Sequence, residues 1–263
     1  LSTGFDHIDL KACKERKIKV TNVPAYGENT VAEHTMALIL NLTRKIHIAW
    51  ERTSHLDFST TGLRGIDLLG KTIGVVGTGN IGQHVIRMAK GFEMNVIAFD
   101  IFKKDIIAKK LGFKYVNFDN LLKNSDIISL HVPYNKHTHH LINKKNLKKM
   151  KKDAIIINTA RGGLIETEAL CDALEKGNLR GAGLDVLEEE CMIKEDKQVM
   201  SKHFPKKCDM KIIIENNKLA KMNNVIITPH NAFNSIEALE RILETTIESI
   251  KSFKKGKIIN SVG

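Results

Sequence analysis

Three stretches place an arginine, carboxylates and a histidine directly after apolar runs. They are Asn158-Thr159-Ala160-Arg161-Gly162-Gly163, Leu184-Asp185-Val186-Leu187-Glu188-Glu189-Glu190 and Thr228-Pro229-His230-Asn231-Ala232-Phe233. An arginine can hold a carboxylate through two parallel, charge-assisted hydrogen bonds. A histidine moves a single proton near neutral pH. A carboxylate beside it holds the imidazole in place and favours its charged form. Glu188, Glu189 and Glu190 are all candidates for that neighbour, and the residues alone do not choose among them.

A second group is Gly77-Thr78-Gly79-Asn80-Ile81-Gly82, a GxGxxG run. Such a run is weak by itself, but this one follows the apolar Thr72-Ile73-Gly74-Val75-Val76 and opens a helical pattern. Gly77 permits the tight turn, Gly79 lets the backbone approach a pyrophosphate, and Gly82 lets helix and strand pack closely. The helix start around Asn80 and Ile81 offers N–H groups and a partial positive charge to phosphates. Asp100 closes the next apolar run, eighteen residues beyond Gly82. A carboxylate there accepts hydrogen bonds from ribose hydroxyls and repels a 2′-phosphate, which favours NAD over NADP. Lys103 and Lys104 just beyond soften that discrimination, and the plain alternative for Asp100 is a strand-end or capping role.

Residues from three stretches can meet only if the fold brings the ends of their strands together. Short β-branched runs at 18–23, 72–77, 95–100, 126–132, 154–159, 181–186 and 225–228 read as strands. Helical patterns at 28–50, 80–91, 105–111, 119–124, 143–150 and 167–176 separate them. Strands apolar along their whole length, in βαβα order, predict a parallel sheet covered on both faces. In such a sheet the carboxyl ends converge on one crevice. Two stretches stand outside the rhythm. Residues 190–221 are polar, Lys-rich and too long for an ordinary connection, which predicts an excursion with some helix of its own. The last helix, 235–254, carries Ile236, Leu239, Ile242, Leu243, Ile247 and Ile250 on one side and needs an apolar partner.

Composition narrows the classes. A chain of 263 residues with 42% hydrophobic and 27% charged residues can bury a full core. The net charge of +11 raises the question of nucleic acid. Its densest run, 144–152, spaces Leu141, Leu147 and Met150 helically, with the lysines opposite and no aromatics interleaved to stack bases. That pattern is a solvated helix face, so no nucleic-acid partner is expected. Cys13, Cys171, Cys191 and Cys208 form no CxxC pair, and Cys208 with His203 gives two candidate ligands, too few for zinc. No metal is expected. The longest apolar stretch, 34–42, is broken by threonine and asparagine and reads as a buried helix, not a membrane span. Without a signal pattern at its start, the chain reads as cytoplasmic. Its opening at Leu1-Ser2-Thr3-Gly4, without methionine, reads as a fragment of a longer chain.

Several motifs in order carry a family resemblance. They are Thr21-Asn22-Val23-Pro24-Ala25-Tyr26, Thr30-Val31-Ala32-Glu33-His34, the glycine run, Leu130-His131-Val132-Pro133, Asn158-Thr159-Ala160-Arg161-Gly162, Gly183-Leu184-Asp185-Val186 and Thr228-Pro229-His230. Across essentially its whole length the chain resembles the D-isomer-specific 2-hydroxyacid dehydrogenase family, and within it the lactate-type members. The resemblance implies an α/β fold with a Rossmann-type doubly wound parallel sheet, plus the remnant of a second, flavodoxin-like substrate domain. Residues 1–25 would belong to that remnant, 26–230 to the NAD-binding domain, and 231–263 to a segment returning to the substrate domain.

It implies an NAD-dependent oxidoreductase interconverting a small 2-keto acid and its D-2-hydroxy acid, with pyruvate and D-lactate as the expected pair. Arg161 would hold the substrate carboxylate and His230 would be the acid/base. Glu190 would be its partner, because the family places that glutamate five residues after the aspartate matching Asp185. Glu188 and Glu189 would then be surface charges. Asp185 would lie near the nicotinamide, with Val132, Pro133, Thr138, Thr159 and Ala160 as further cofactor contacts. Thr3, Gly4, Tyr26 and Phe233 match substrate-side positions, with hinge packing for Tyr26 and a core anchor for the last helix at Phe233 as the plain alternatives. A homodimer through the NAD-binding domain is implied, with the 35–42 helix as one candidate face and burial in the core as its other reading. Members acting on hydroxypyruvate, glyoxylate or phosphoglycerate, and a non-catalytic NADH-sensing corepressor of the same fold, are the alternatives.

Overall fold

The computed structural model describes residues 2–5, 8–190 and 209–262. Seven strands form one parallel sheet: β1 (Thr72–Val76), β2 (Asn95–Phe99), β3 (Lys114–Tyr115), β4 (Ile127–Leu130), β5 (Ala154–Asn158), β6 (Leu179–Leu184) and β7 (Val225–Ile227). Their order is β3-β2-β1-β4-β5-β6-β7, and each neighbouring pair is parallel. The chain thus starts in the middle, winds out to β3, then returns across β1 to build the other half. This is the doubly wound arrangement, with its switch point between β1 and β4.

The pleat explains why these strands read as unbroken apolar runs. Successive side chains point to opposite faces. Ala154 and Ile156 of β5 enter one core, whereas Ile155 and Ile157 enter the other. All five residues of β5 and all four of β4 are buried. Each fully buried isoleucine contributes roughly 1.5–3 kcal/mol. Helices supply the covering layers through one apolar stripe each. Helix Asn80–Gly91 buries Gly82, Val85, Ile86 and Ala89, a helical spacing.

The chain divides into two compact units, Leu1–Val31 with Phe233–Gly263, and Ala32–Ala232. The sheet lies in the second. In the first, helix Ile236–Lys254 buries Ala238 and Ile242 but leaves Ile236, Leu239, Leu243, Ile247, Ile250 and Phe253 exposed. Arg241 Nε donates to Tyr26 O at 2.6 Å, tying this helix to the segment before helix Glu28–Arg44.

Four local expectations are corrected. Residues 18–23 form no strand; Thr21 makes a single antiparallel bridge to Ser261, flanked by bonds from Asn22 N to Asn260 O and from Val262 N to Val20 O. A β-rich composition needs a ladder to pair with, and this one is two bonds long. The helix expected over 28–50 breaks at Lys45, whose φ of 53° is left-handed. There Asn41 Oδ1 accepts from His47 N, replacing a helical bond with a side-chain one, and a second helix runs Ile46–Ser54. The helix expected over 143–150 is helical only at Lys144–Leu147, although Leu147 and Met150 are buried as the pattern required. Glu188 is not a surface charge, as described below.

The 35–42 stretch resolves to core: Thr35, Met36, Leu38 and Ile39 are buried. Helix Met210–Lys221 falls within the expected excursion. Residues 191–208 of that excursion, with Cys191, His203 and Cys208, lie outside the described residues. Among the described residues no helix is long and apolar enough to cross a membrane, and no cluster of three potential metal ligands occurs.

Candidate active site

Because every strand runs the same way, the segments leaving β1, β2, β4, β5, β6 and β7 emerge along one edge of the sheet. Asn158 pairs with Leu184, and Leu184 with Ile227, so three strand ends stand level. Arg161 and His230 therefore follow strands two places apart, about 10 Å at the usual strand spacing. Glu190 comes from the strand between them.

The glycine turn has the geometry its composition requires. Gly77 has φ of +96°, and a Cβ there would fall 2.6 Å from His131 O. A Cβ on Gly82 would fall 2.0 Å from Gly77 O, so the helix can press on the turn only through glycine. At Gly79 a Cβ would meet nothing within 4 Å. Gly79 and Asn80 are exposed at the helix start, so protein does not close the face a pyrophosphate would approach. The residues fit a dinucleotide.

Asp100 is tied into the glycine turn. Its Oδ2 accepts from Thr78 N at 2.7 Å and Thr78 Oγ1 at 2.9 Å, and its Oδ1 from Phe102 N at 2.9 Å. Tyr115, which sequence reasoning missed, adds its hydroxyl 2.8 Å from Thr78 Oγ1 and accepts from Lys104 N at 3.2 Å. It lies on the two-residue edge strand β3, too short to leave a periodic signal. Asp100→Asn keeps an oxygen for Thr78 but removes the charge that repels a 2′-phosphate. We expect the NAD-to-NADP ratio of kcat/KM to narrow by about tenfold or more, since bonds to charged groups are worth about 1.5–3 kcal/mol. An unchanged ratio removes Asp100 from cofactor selection.

His230 Nδ1 lies 2.7 Å from Glu190 Oε1, with both side chains partly exposed. A carboxylate can only accept here, so Nδ1 carries the hydrogen and Nε2 is left for a substrate. The backbone of His230 is left-handed, with φ of 53°. That conformation is imposed by Asp185, 1% exposed, which accepts from Thr228 Oγ1 at 2.6 Å, Asn231 N at 3.0 Å and Ala232 N at 2.9 Å. His34 Nε2 stands 2.9 Å from Thr228 Oγ1 on the same network. The buried carboxylate thus grips the histidine loop on both sides of His230. Another histidine at a strand end, His131, is no candidate for proton transfer. Desolvation pushes its pKa down to about 3, and Nε2 lies 2.8 Å from Ser129 Oγ.

Arg161 sits on a turn held by Asn158, whose Nδ2 donates to Arg161 O at 2.8 Å and whose Oδ1 accepts from Ala160 N at 3.1 Å. Arg161 Nη1 donates to Ala160 O at 2.7 Å, fixing one arm of the guanidinium. Thr159 Oγ1 lies 3.0 Å from Thr35 Oγ1. Thr138 Oγ1 donates to Pro133 O at 2.7 Å, shaping the loop after Val132. Glu188 pairs with His140 and Thr167 and its side chain is 11% exposed; an anion in that position is held by donors, which the expected surface charge would not be. In the smaller unit, Tyr26 and Phe233 pack edge to face at 6.1 Å. Thr3 Oγ1 donates to Val23 O, and Ser2 Oγ to Gly4 O.

A doubly wound sheet with a glycine turn, an aspartate after the second strand and a histidine–carboxylate pair along one edge fits a nicotinamide-dependent dehydrogenase. The family profile described as D-isomer specific 2-hydroxyacid dehydrogenase, NAD binding domain, matches residues 36–232. The chain is 38% identical over 258 residues to the D-lactate dehydrogenase of Escherichia coli strain K12, covering 97% of this chain and 74% of that one. It is 37% identical over 265 residues to a glyoxylate reductase of Thermococcus litoralis, covering 98% and 73%. The crystal structure of D-lactate dehydrogenase from Aquifex aeolicus complexed with NAD and lactic acid superposes with a TM-score of 0.87 at 42% identity, over 97% of this chain and 75% of that one. This chain belongs to the D-isomer specific 2-hydroxyacid dehydrogenase family, and its cofactor is NAD.

Proposed function

We propose that the protein reduces pyruvate to D-lactate and catalyses the reverse oxidation, with Arg161, His230 and Glu190 as its acting residues. The observation that carries this is the His230 Nδ1–Glu190 Oε1 bond of 2.7 Å, with Glu190 following the strand next to the one that delivers Arg161 and His230 following the strand beyond it. The glycine turn, the Asn80 end of its helix and Asp100 hold NAD, with Val132, Pro133, Thr138, Thr159, Ala160 and Asp185 along the rest of it. When bound, the cofactor would supply hydride to substrate C2 as NADH in reduction and accept it as NAD+ in oxidation.

The chain's own residues do the remainder. Arg161 binds the substrate carboxylate through its planar fork, which orients the C2 carbonyl. His230 gives a proton from Nε2 to the carbonyl oxygen during reduction and takes it from the hydroxyl during oxidation. Glu190 holds Nδ1–H and stabilises the imidazolium. Asp185 keeps His230 in its left-handed turn. Tyr26, Phe233, Thr3 and Gly4 are assigned to the substrate on the family resemblance alone. The smaller unit is read as part of a substrate domain, a reading supported by the exposed apolar face of helix Ile236–Lys254.

Similarity to D-lactate dehydrogenases at 38% and 42% identity supports the lactate assignment, and the glyoxylate reductase at 37% supports glyoxylate as the second reading. Following NADH absorbance with pyruvate, glyoxylate, hydroxypyruvate and an aromatic 2-keto acid separates them. We expect the highest kcat/KM with pyruvate; a higher value with glyoxylate replaces the assignment. We also infer a homodimer through the larger unit. Ile46 and Trp50, one turn apart on helix Ile46–Ser54, are exposed, as are Leu56 and Phe58 beyond it. A monomer in sedimentation velocity at micromolar concentration rejects that inference.

A further inference from the structure

A second histidine–carboxylate pair stands beside the first. His140 Nε2 and Glu188 Oε1 are 2.6 Å apart, and Glu188 precedes Glu190 by two residues. The other carboxylate oxygen, Oε2, accepts from Thr167 Oγ1 at 2.7 Å and from Thr167 N at 3.3 Å. The backbone oxygen of Glu188 accepts from Asn216 Nδ2 at 2.8 Å. Three separate segments thus hold one residue: the loop bearing His140, the start of helix Thr167–Glu175, and helix Met210–Lys221.

The same residue is locked to the arginine turn. A Cβ on Gly162 would fall 2.0 Å from Leu187 C and 2.3 Å from Glu188 N, so the Gly162 backbone lies directly on the 187–188 peptide. His140 N donates to Gly163 O at 2.8 Å. The His140 backbone is left-handed, with φ of 49°, and its ring stacks on His139 at 3.8 Å between centroids. His139 Nδ1 is in turn 3.0 Å from the Tyr134 hydroxyl. A non-glycine residue keeps such a conformation only where its surroundings over-determine it.

We propose that Glu188, held by His140 and Thr167, is a positioning residue for the dehydrogenase reaction. It sets the segment that carries Glu190 against the turn that carries Arg161, and so fixes both relative to His230. This rests on the proton-transfer role given above to Glu190 and His230. Glu188 acts through Glu190 and has no contact with substrate in this scheme. The carboxylate accepts from His140 on one oxygen and from Thr167 on the other, which an amide can match only by reversing the His140 bond.

The test uses the full-length protein and four variants, E188Q, H140A, H140Q and E190Q, measured for kcat, keto-acid KM and NADH Kd by fluorescence. E188Q is expected to lower kcat by about tenfold or more, approaching the 10²-fold that a misplacement of about 1 Å costs, with KM and Kd within about threefold. H140A should fall in the same way, and H140Q should recover most of the loss, because its amide can still donate to Glu188. Wild-type kcat in both E188Q and H140A overturns the proposal. So does a joint loss of kcat and NADH binding in H140A that H140Q does not recover, which marks a role in folding alone. If E188Q itself fails to fold, the H140A and H140Q pair decides. E190Q separates the two levels: wild-type kcat there rejects the proton-transfer reading, whereas a low value beside normal E188Q and H140A rejects only the positioning role.

Discussion

Replacing His230 with glutamine is expected to lower kcat for keto-acid reduction by about 10²–10⁴-fold, the range that general acid–base help supplies. Glutamine fills a similar volume and can still donate towards Glu190, but it cannot give up a proton at neutral pH. NADH binding should be almost untouched, because the glycine turn and Asp100 follow β1 and β2, whereas His230 follows β7 at the far side of the sheet. The expected signature is therefore a collapse of turnover with Kd for NADH unchanged. The left-handed backbone at position 230 adds no new strain in the variant, since Asp185 imposes it equally on either residue. Turnover within tenfold of wild type would remove His230 from the proton path.

The second large effect is expected at Arg161. Lysine there preserves the positive charge but loses the planar fork that matches a carboxylate. Charge-assisted hydrogen bonds of this type are worth about 1.5–3 kcal/mol, so KM for the keto acid should rise about 10–100-fold. If the fork also holds the carbonyl in line for the chemistry, kcat falls with it, and the two parameters separate these contributions. Asn158 grips the Arg161 turn through backbone atoms, so the substitution leaves the turn itself in place. Unaltered pyruvate kinetics in Arg161→Lys would show that the carboxylate is recognised elsewhere. Together the two variants should split cleanly, one acting on turnover and the other mainly on substrate affinity.

Much of this protein is legible in its residues because the signals are local. The run Ala154–Asn158 is buried on both faces, so it must be apolar at every position, and its length announces a strand. Gly77 and Gly82 occupy positions where a Cβ would collide with backbone, and no other residue type can stand there. Asp100 and His230 each follow an apolar strand at the point where a parallel sheet exposes its ligand edge. Type, order and spacing therefore determined the sheet and the glycine turn, and placed an aspartate, an arginine and a histidine at strand ends.

Pairing was decided only in three dimensions. Glu188, Glu189 and Glu190 are chemically equal in a chain, and what distinguishes them is which histidine each can reach. Glu190 meets His230 and Glu188 meets His140, residues 40 and 48 positions away in sequence. The break at Lys45 likewise depends on Asn41 capturing His47, and the short bridge at Thr21 on the distant Ser261. Composition has a period and a polarity that one segment can display alone. A hydrogen bond between remote side chains depends on backbone positions set by the whole core, and no single segment carries that information.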